Sequence, residues 1–168
     1  GLMLRIAPAD IQYHDTYFVV AHFHYVLVTG AFWGIIAAVF YCLPKWTGRM
    51  YNEPLAKFHF WWSLISVNVT FFPQHFLGLA GMPRRIPDYA RQFADFNFVS
   101  SIGAFSFGLS FLLFTYIVVD CIRNGKPADA RPWASAKGLE WTLATPLAYH
   151  TFDVPPTRAE ILAESQHS

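Results

Sequence analysis

The chain has 168 residues, of which 54% are hydrophobic, 18% aromatic and only 14% charged, whereas an average soluble domain carries about 25% charged residues. A membrane protein is therefore the leading class. With a formal net charge of +1 and its Lys and Arg residues scattered between apolar runs, the chain has no basic footprint, and nucleic acid is excluded as a partner.

The first residues, Gly1-Leu2-Met3-Leu4, show neither an initiator Met nor a signal-peptide pattern and read like the tail of an earlier element. The chain is thus expected to be the C-terminal piece of something longer. Residues 1–16 are expected to form an outer-side loop entering the first helix. At its end stands Tyr13-His14-Asp15-Thr16, where Asp15 has two readings. It is a helix N-cap, or it shares with His14 part of the shell of a hard cation. Two protein ligands do not specify a metal, although magnesium commonly keeps several waters.

Three apolar runs reach the roughly 20 residues needed to cross a bilayer. The first covers 17–43 and is expected to stop at Pro44, which removes a helical hydrogen bond. The second, 58–79, holds no Asp, Glu, Lys or Arg but carries Asn68, Pro73, Gln74 and His75. The third, 96–119, is nearly free of polar groups beyond Asn97, Ser and Thr. The fold class expected is an all-α membrane protein of three transmembrane helices with an extramembrane tail over 120–168.

Near the start of the first run lies Ala21-His22-Phe23-His24-Tyr25. Successive helical residues turn about 100°, so His22 and His24 point about 200° apart and cannot hold one metal ion. Metal-binding pairs on a helix sit at i, i+4 instead. A lone membrane histidine is as readily an interhelical hydrogen-bonding group as a ligand. Two of them, flanked by aromatics and facing opposite ways, favour ligation of two separate partners, and heme iron commonly takes an axial histidine.

Orientation follows the excess of Lys and Arg. Lys45, Arg49 and Lys57 after the first helix, and Arg123, Lys126, Arg131 and Lys137 after the third, make that side cytoplasmic. Arg84 and Arg85, in Gly81-Met82-Pro83-Arg84-Arg85, strain the rule on the outer side. They are solvated, paired with Asp88, or bound to anionic groups, and Arg suits bidentate carboxylate binding. His22 and His24 lie within about 10 Å of the outer end of their helix. A heme held there on edge would bring its propionates toward the arginine pair.

The remaining features are blander. Cys42 and Cys121 read as inert apolar thiols, with no Cys-x-x-Cys and no His/Cys cluster. His59 and His75 read as interfacial or interhelical polar residues, while His150 and His167 lie in the tail. The tail is rich in Pro, is expected to build no core of its own, and to end in a short helix over 158–166. Trp62, Trp133 and Trp141 are either interfacial anchors or packing residues.

Two long stretches carry a family resemblance. His14-Asp15-Thr16-Tyr17-Phe18-Val19-Val20-Ala21-His22-Phe23-His24-Tyr25-Val26-Leu27 and Phe71-Phe72-Pro73-Gln74-His75-Phe76-Leu77-Gly78-Leu79-Ala80-Gly81-Met82-Pro83-Arg84-Arg85 resemble subunit I of the heme-copper cytochrome c oxidases of the aa3 type. Leu139-Glu140-Trp141 and Tyr149-His150-Thr151-Phe152 resemble the family's closing segment.

The resemblance implies roles that spacing does not. His22 would be the axial ligand of the high-spin heme a3, and His24 that of the low-spin heme a, with Phe23 between the two hemes. Arg84 and Arg85 would bind heme propionates. His14 and Asp15 would ligate Mg, shared with subunit II. The three helices would be the last three of a twelve-helix bundle. The copper centre of the complete subunit takes its ligands from earlier helices, so this chain alone should not be catalytic.

The function implied is the C-terminal heme-binding part of a respiratory terminal oxidase. That enzyme reduces O2 to water with electrons from cytochrome c and pumps protons. Its partners would be the remaining helices of subunit I, subunits II and III, cytochrome c and the lipid bilayer. The bacterial inner membrane is the expected location, with the mitochondrial inner membrane as the alternative. Two other functions stay open: a quinol oxidase of the same superfamily, and a cofactor-free membrane interaction or channel segment. A quinol oxidase tends to lack both the acid at Asp15 and the Phe-Pro-Gln-His stretch, which are present here.

Overall fold

The computed structural model describes residues 1–133, 138–152 and 154–161. Lys137, His167 and most of the expected terminal helix over 158–166 lie outside the described residues; a helical turn covers 158–161. Two short helices, α1 (Leu2–Arg5) and α2 (Ala7–Tyr13), lead into a continuous helix over Tyr17–Thr47. That helix consists of α3 (Tyr17–His24), a π-helical stretch Tyr25–Phe32, and α4 (Trp33–Thr47). In the π-helical stretch the Thr29 hydroxyl donates to the Tyr25 carbonyl, a bond that competes with the backbone ladder. A short strand β1 (Arg49–Met50), helix α5 (Glu53–Leu79), helix α6 (Ala94–Asn124) and strand β2 (Lys126–Pro127) follow.

Two expectations need correction. The first helix does not stop at Pro44 but continues through it to Thr47. Proline forfeits one hydrogen bond, but the end beyond it is well closed. The Thr47 hydroxyl donates to the Leu43 carbonyl (2.8 Å), and Gly48 N–H donates to the Pro44 carbonyl (2.9 Å). Gly48 has φ +68°, the left-handed conformation that ends helices and favours glycine. The N-cap of α3 is Thr16, not Asp15: its hydroxyl accepts from Phe18 N–H.

By length and composition, two helices among the described residues can cross a bilayer, Tyr17–Thr47 and Arg91–Asn124. Helix α5 is 27 residues long, but His59, Asn68, Gln74 and His75 dilute its apolar character.

The chain divides into two compact units. The first, Gly1–Ile36 with Lys57–Phe114, contains a polar helix seam. Along α5, His59, Ser63, Ser66, Val67, Thr70, Gln74, Leu77 and Gly78 are buried at helical spacing. Ser66 and Ser106 hydroxyls meet at 2.8 Å, Trp62 Nε1 donates to Ser106 Oγ (2.9 Å), Gln74 Nε2 to Ser100 Oγ (2.9 Å), and Ser100 Oγ to the Thr70 carbonyl (2.7 Å). Small and hydroxylated residues at a helix contact are what packing within lipid favours. Gly103 makes the approach: a Cβ there would stand 2.5 Å from Thr70 N. An apolar cluster of Leu77, Met82 and Phe93, with Tyr17 and Ile86 against it, closes the end of α5.

The second unit is Ala37–Ala56 with the chain from Thr115 on. Strands β1 and β2 pair antiparallel, Arg49 opposite Pro127 and Met50 opposite Lys126. The tail packs onto the end of α4 rather than around a centre of its own, and Trp141 is only 2% exposed there. It packs edge-on against Tyr41, with ring centroids 5.1 Å apart. Trp141 is thus a packing residue, and Trp133 Nε1 donates to the Tyr41 carbonyl (3.0 Å). Cys121 is buried and not in a disulfide, and its thiol donates to the Arg49 carbonyl (3.3 Å).

Candidate functional site

The chain entering α3 and the chain leaving α5 are clipped together by backbone. Tyr17 N–H donates to the Met82 carbonyl (3.0 Å), Arg84 N–H donates to the Asp15 carbonyl (2.9 Å), and Thr16 and Pro83 form an antiparallel bridge. Gly78 permits this, since a Cβ there would run into the backbone N and Cα of Phe18. Asp15 and Arg85 both take positive φ, 56° and 62°, a region that non-glycine residues enter at a cost of about 1–2 kcal/mol. The clip holds both turns in that conformation.

The clip brings together side chains 69 residues apart. Arg84 grips one oxygen of Asp15, with Nε 2.8 Å and a terminal nitrogen 2.7 Å from Oδ1. The other oxygen, Oδ2, stands 3.8 Å from His14 Nε2. His14 Nδ1 lies 3.2 Å from the Asp10 carbonyl, so the ring presents Nε2 outward beside the carboxylate. The Arg84 guanidinium, through its hydrogen bond and its charge, holds the Asp15 carboxyl below the usual carboxylate range. Asp88, offered from sequence as an arginine partner, instead accepts from the Tyr89 N–H (2.8 Å).

His22 and His24 lie on α3, two residues apart, and so face about 200° away from each other. His24 Nδ1 donates to the Val20 carbonyl (2.8 Å), which leaves Nε2 as the ring's lone-pair nitrogen. Phe71 of α5 stacks on this ring at 4.6 Å, and Phe23 lies at 4.2 Å. His22 is half-buried, and the side-chain-free Gly1 lies near its ring; a Cβ there would be 3.7 Å from His22 Nε2. This donor set fits two hemes, one imidazole each, and does not fit one shared ion. Among the described residues, no three His, Cys, Asp or Glu side chains converge as a metal site. His14 and Asp15 offer two groups, a number that suits a cation keeping waters or drawing on another chain.

Sequence reasoning missed the Asp15–Arg84 pair, although placing both residues on the outer side pointed toward it. His75, read from sequence as an interfacial or interhelical polar residue, meets Phe18 edge-on at 5.2 Å and lies 5.6 Å from Tyr25, although the sequence did not name those partners. No local pattern marks that contact, because it depends on how α3 and α5 face each other.

Long apolar helices, a polar helix seam and imidazoles projecting from a membrane-length helix define an α-helical integral membrane protein. The family described as Cytochrome C and Quinol oxidase polypeptide I matches residues 1–106, and the chain belongs to that family. Cytochrome c oxidase subunit 1 of Cereibacter sphaeroides is 47% identical over 162 residues, covering 95% of this chain and 29% of that protein. Cytochrome c oxidase subunit 1 of Yarrowia lipolytica (strain CLIB 122 / E 150) is 43% identical over 172 residues, covering 92% of this chain and 32% of that protein. The chain thus spans less than a third of the length of these relatives.

Proposed function

We infer that this chain is the C-terminal heme-binding part of the catalytic subunit of a respiratory cytochrome c oxidase. The observation that carries the reading is the pair of imidazoles on opposite faces of α3, one with its tautomer set by the Val20 carbonyl. His22 would hold heme a3 and His24 heme a. Bound there, the hemes supply electron transfer and the site of O2 reduction. The protein's own part is positional. The Val20 carbonyl and Phe71 fix the plane of the His24 ring, and α3 sets the separation of the two ligands. Phe23 lies between them.

Arg84 and Arg85 would neutralise propionates, with Asp15 holding Arg84 in place. His14 and Asp15 would bind Mg with a carboxylate of subunit II. The copper ligands belong to other helices of the complete subunit. Three membrane spans, 17–43, 58–79 and 96–119, would be the last of twelve, with 120–168 on the cytoplasmic side of a bacterial inner membrane. The mostly polar seam between α5 and α6 supports counting α5 as a span, because its polar groups are turned onto a neighbour and away from lipid. Subunits II and III and cytochrome c would be the partners.

Turnover of the purified complex on reduced cytochrome c and on quinol tests the choice of donor. Oxidation of cytochrome c supports the reading; activity on quinol alone replaces it with a quinol oxidase.

A further inference from the structure

A lysine at the end of a membrane helix ordinarily lays its stem along apolar surface and leaves its ammonium in water or among headgroups. Lys45, in the last turn of α4, does the reverse. It is 2% exposed. Its Nζ donates to the Leu143 carbonyl (2.7 Å) and to Thr145 Oγ1 (3.0 Å), and it lies 5.6 Å from the centroid of the Trp141 ring. All three partners belong to one stretch of the tail, and the two hydrogen-bond acceptors lie 98 and 100 residues further along the chain.

The same stretch is turned back on itself. Trp141 N–H donates to the Gly138 carbonyl and Thr142 N–H to the Leu139 carbonyl, both at 3.1 Å, and Arg131 Nε donates to the Trp141 carbonyl (3.3 Å). Beside it, Ala128 N–H donates to the Gly48 carbonyl (2.9 Å). That bond holds the base of the tail without involving Lys45. Beyond the base, Lys45 is the one charged group of the α4 end seen to reach into residues 139–145 among the described residues.

We propose that Lys45 is a latch, and that residues 139–145 are a strap docked by its ammonium onto the end of α4. Docked, the ammonium is solvated by a carbonyl, a hydroxyl and an indole face. Its charge is what ties the strap to α4, so removing the charge should let residues 139–145 open locally while the helix stays in place.

Hydrogen exchange read by mass spectrometry on the whole purified complex tests this, comparing wild type, Lys45→Met and Thr145→Val. Methionine keeps the length and apolar stem while removing the charge. Exchange in peptides over 139–145 is expected to rise about tenfold in Lys45→Met and by less in Thr145→Val, with peptides over 17–36 unchanged. Exchange over 139–145 within about twofold of wild type in Lys45→Met overturns the proposal, because packing alone would then hold the strap. An equal rise over 17–36 also overturns it, because Lys45 would then support the helix as a whole.

Discussion

Thr16 ends the entry loop and begins the helix that carries both histidines. Its hydroxyl accepts from Phe18 N–H and donates to the Tyr13 carbonyl (2.6 Å). Thr16→Ala is expected to cost about 1 kcal/mol, read as a lowered unfolding midpoint of the purified complex. Glu160 gives a pH effect at the same scale. Its carboxylate accepts from Thr157 N–H (2.7 Å) and Thr157 Oγ1 (3.0 Å), and these bonds hold it below the usual glutamate range. A depressed folded pKa means the contribution is complete above the unfolded value of about 4.3 and is lost as pH falls through the folded one. The protection factor of the Ile161 amide, whose N–H bonds the Thr157 carbonyl (3.1 Å), should fall in that acid window and stay constant above it. The reading of Asp15 shows where local sequence reasoning falls short. Aspartate before a helix suggests a cap, but its carboxylate is taken by Arg84, 69 residues away, and the neighbouring threonine does the capping.

Among the elements, the contact of α3 with α5 and that of α5 with α6 each depend on one glycine. Gly78→Ala would push a methyl into the Phe18 backbone, and Gly103→Ala would place one 2.5 Å from Thr70 N. Overpacking typically costs about 1–3 kcal/mol, and more where backbone must move. Both variants should lower the thermal midpoint, but only Gly78→Ala should also disturb the clip between residues 15–17 and 82–84. Faster exchange of the Tyr17 and Arg84 amides in Gly78→Ala than in Gly103→Ala is the outcome to look for. Ser100→Ala removes the link from Gln74 to the Thr70 carbonyl. Within a membrane such bonds average about 0.6 kcal/mol, so a change of that order in the midpoint is expected. The long helices were legible because apolar runs and their breaks are local signals. The passage through Pro44 was not, since it depends on closing bonds made by Thr47 and Gly48. The burial of Trp141 was not legible either, since it depends on Lys45 and Tyr41 from a distant part of the chain.

At the scale of the molecule, membership of the oxidase family accounts for an arrangement that would be costly in isolation. Phe98, Ile102, Phe105, Leu109 and Leu112 of α6 are all more than half exposed, as expected of helices that pack against lipid or other helices. On the proposed reading the heme site would likewise be partial, since each imidazole would supply one ligand and the rest would come from other helices. On the proposed reading, α3 would carry the axial ligands of two different hemes. The most direct test is the reduced-minus-oxidised spectrum of the purified complex carrying His22→Ala or His24→Ala. His22→Ala is expected to disturb the high-spin heme signal and His24→Ala the low-spin signal, each leaving the other heme in place. Survival of both signals in both variants would contradict that reading.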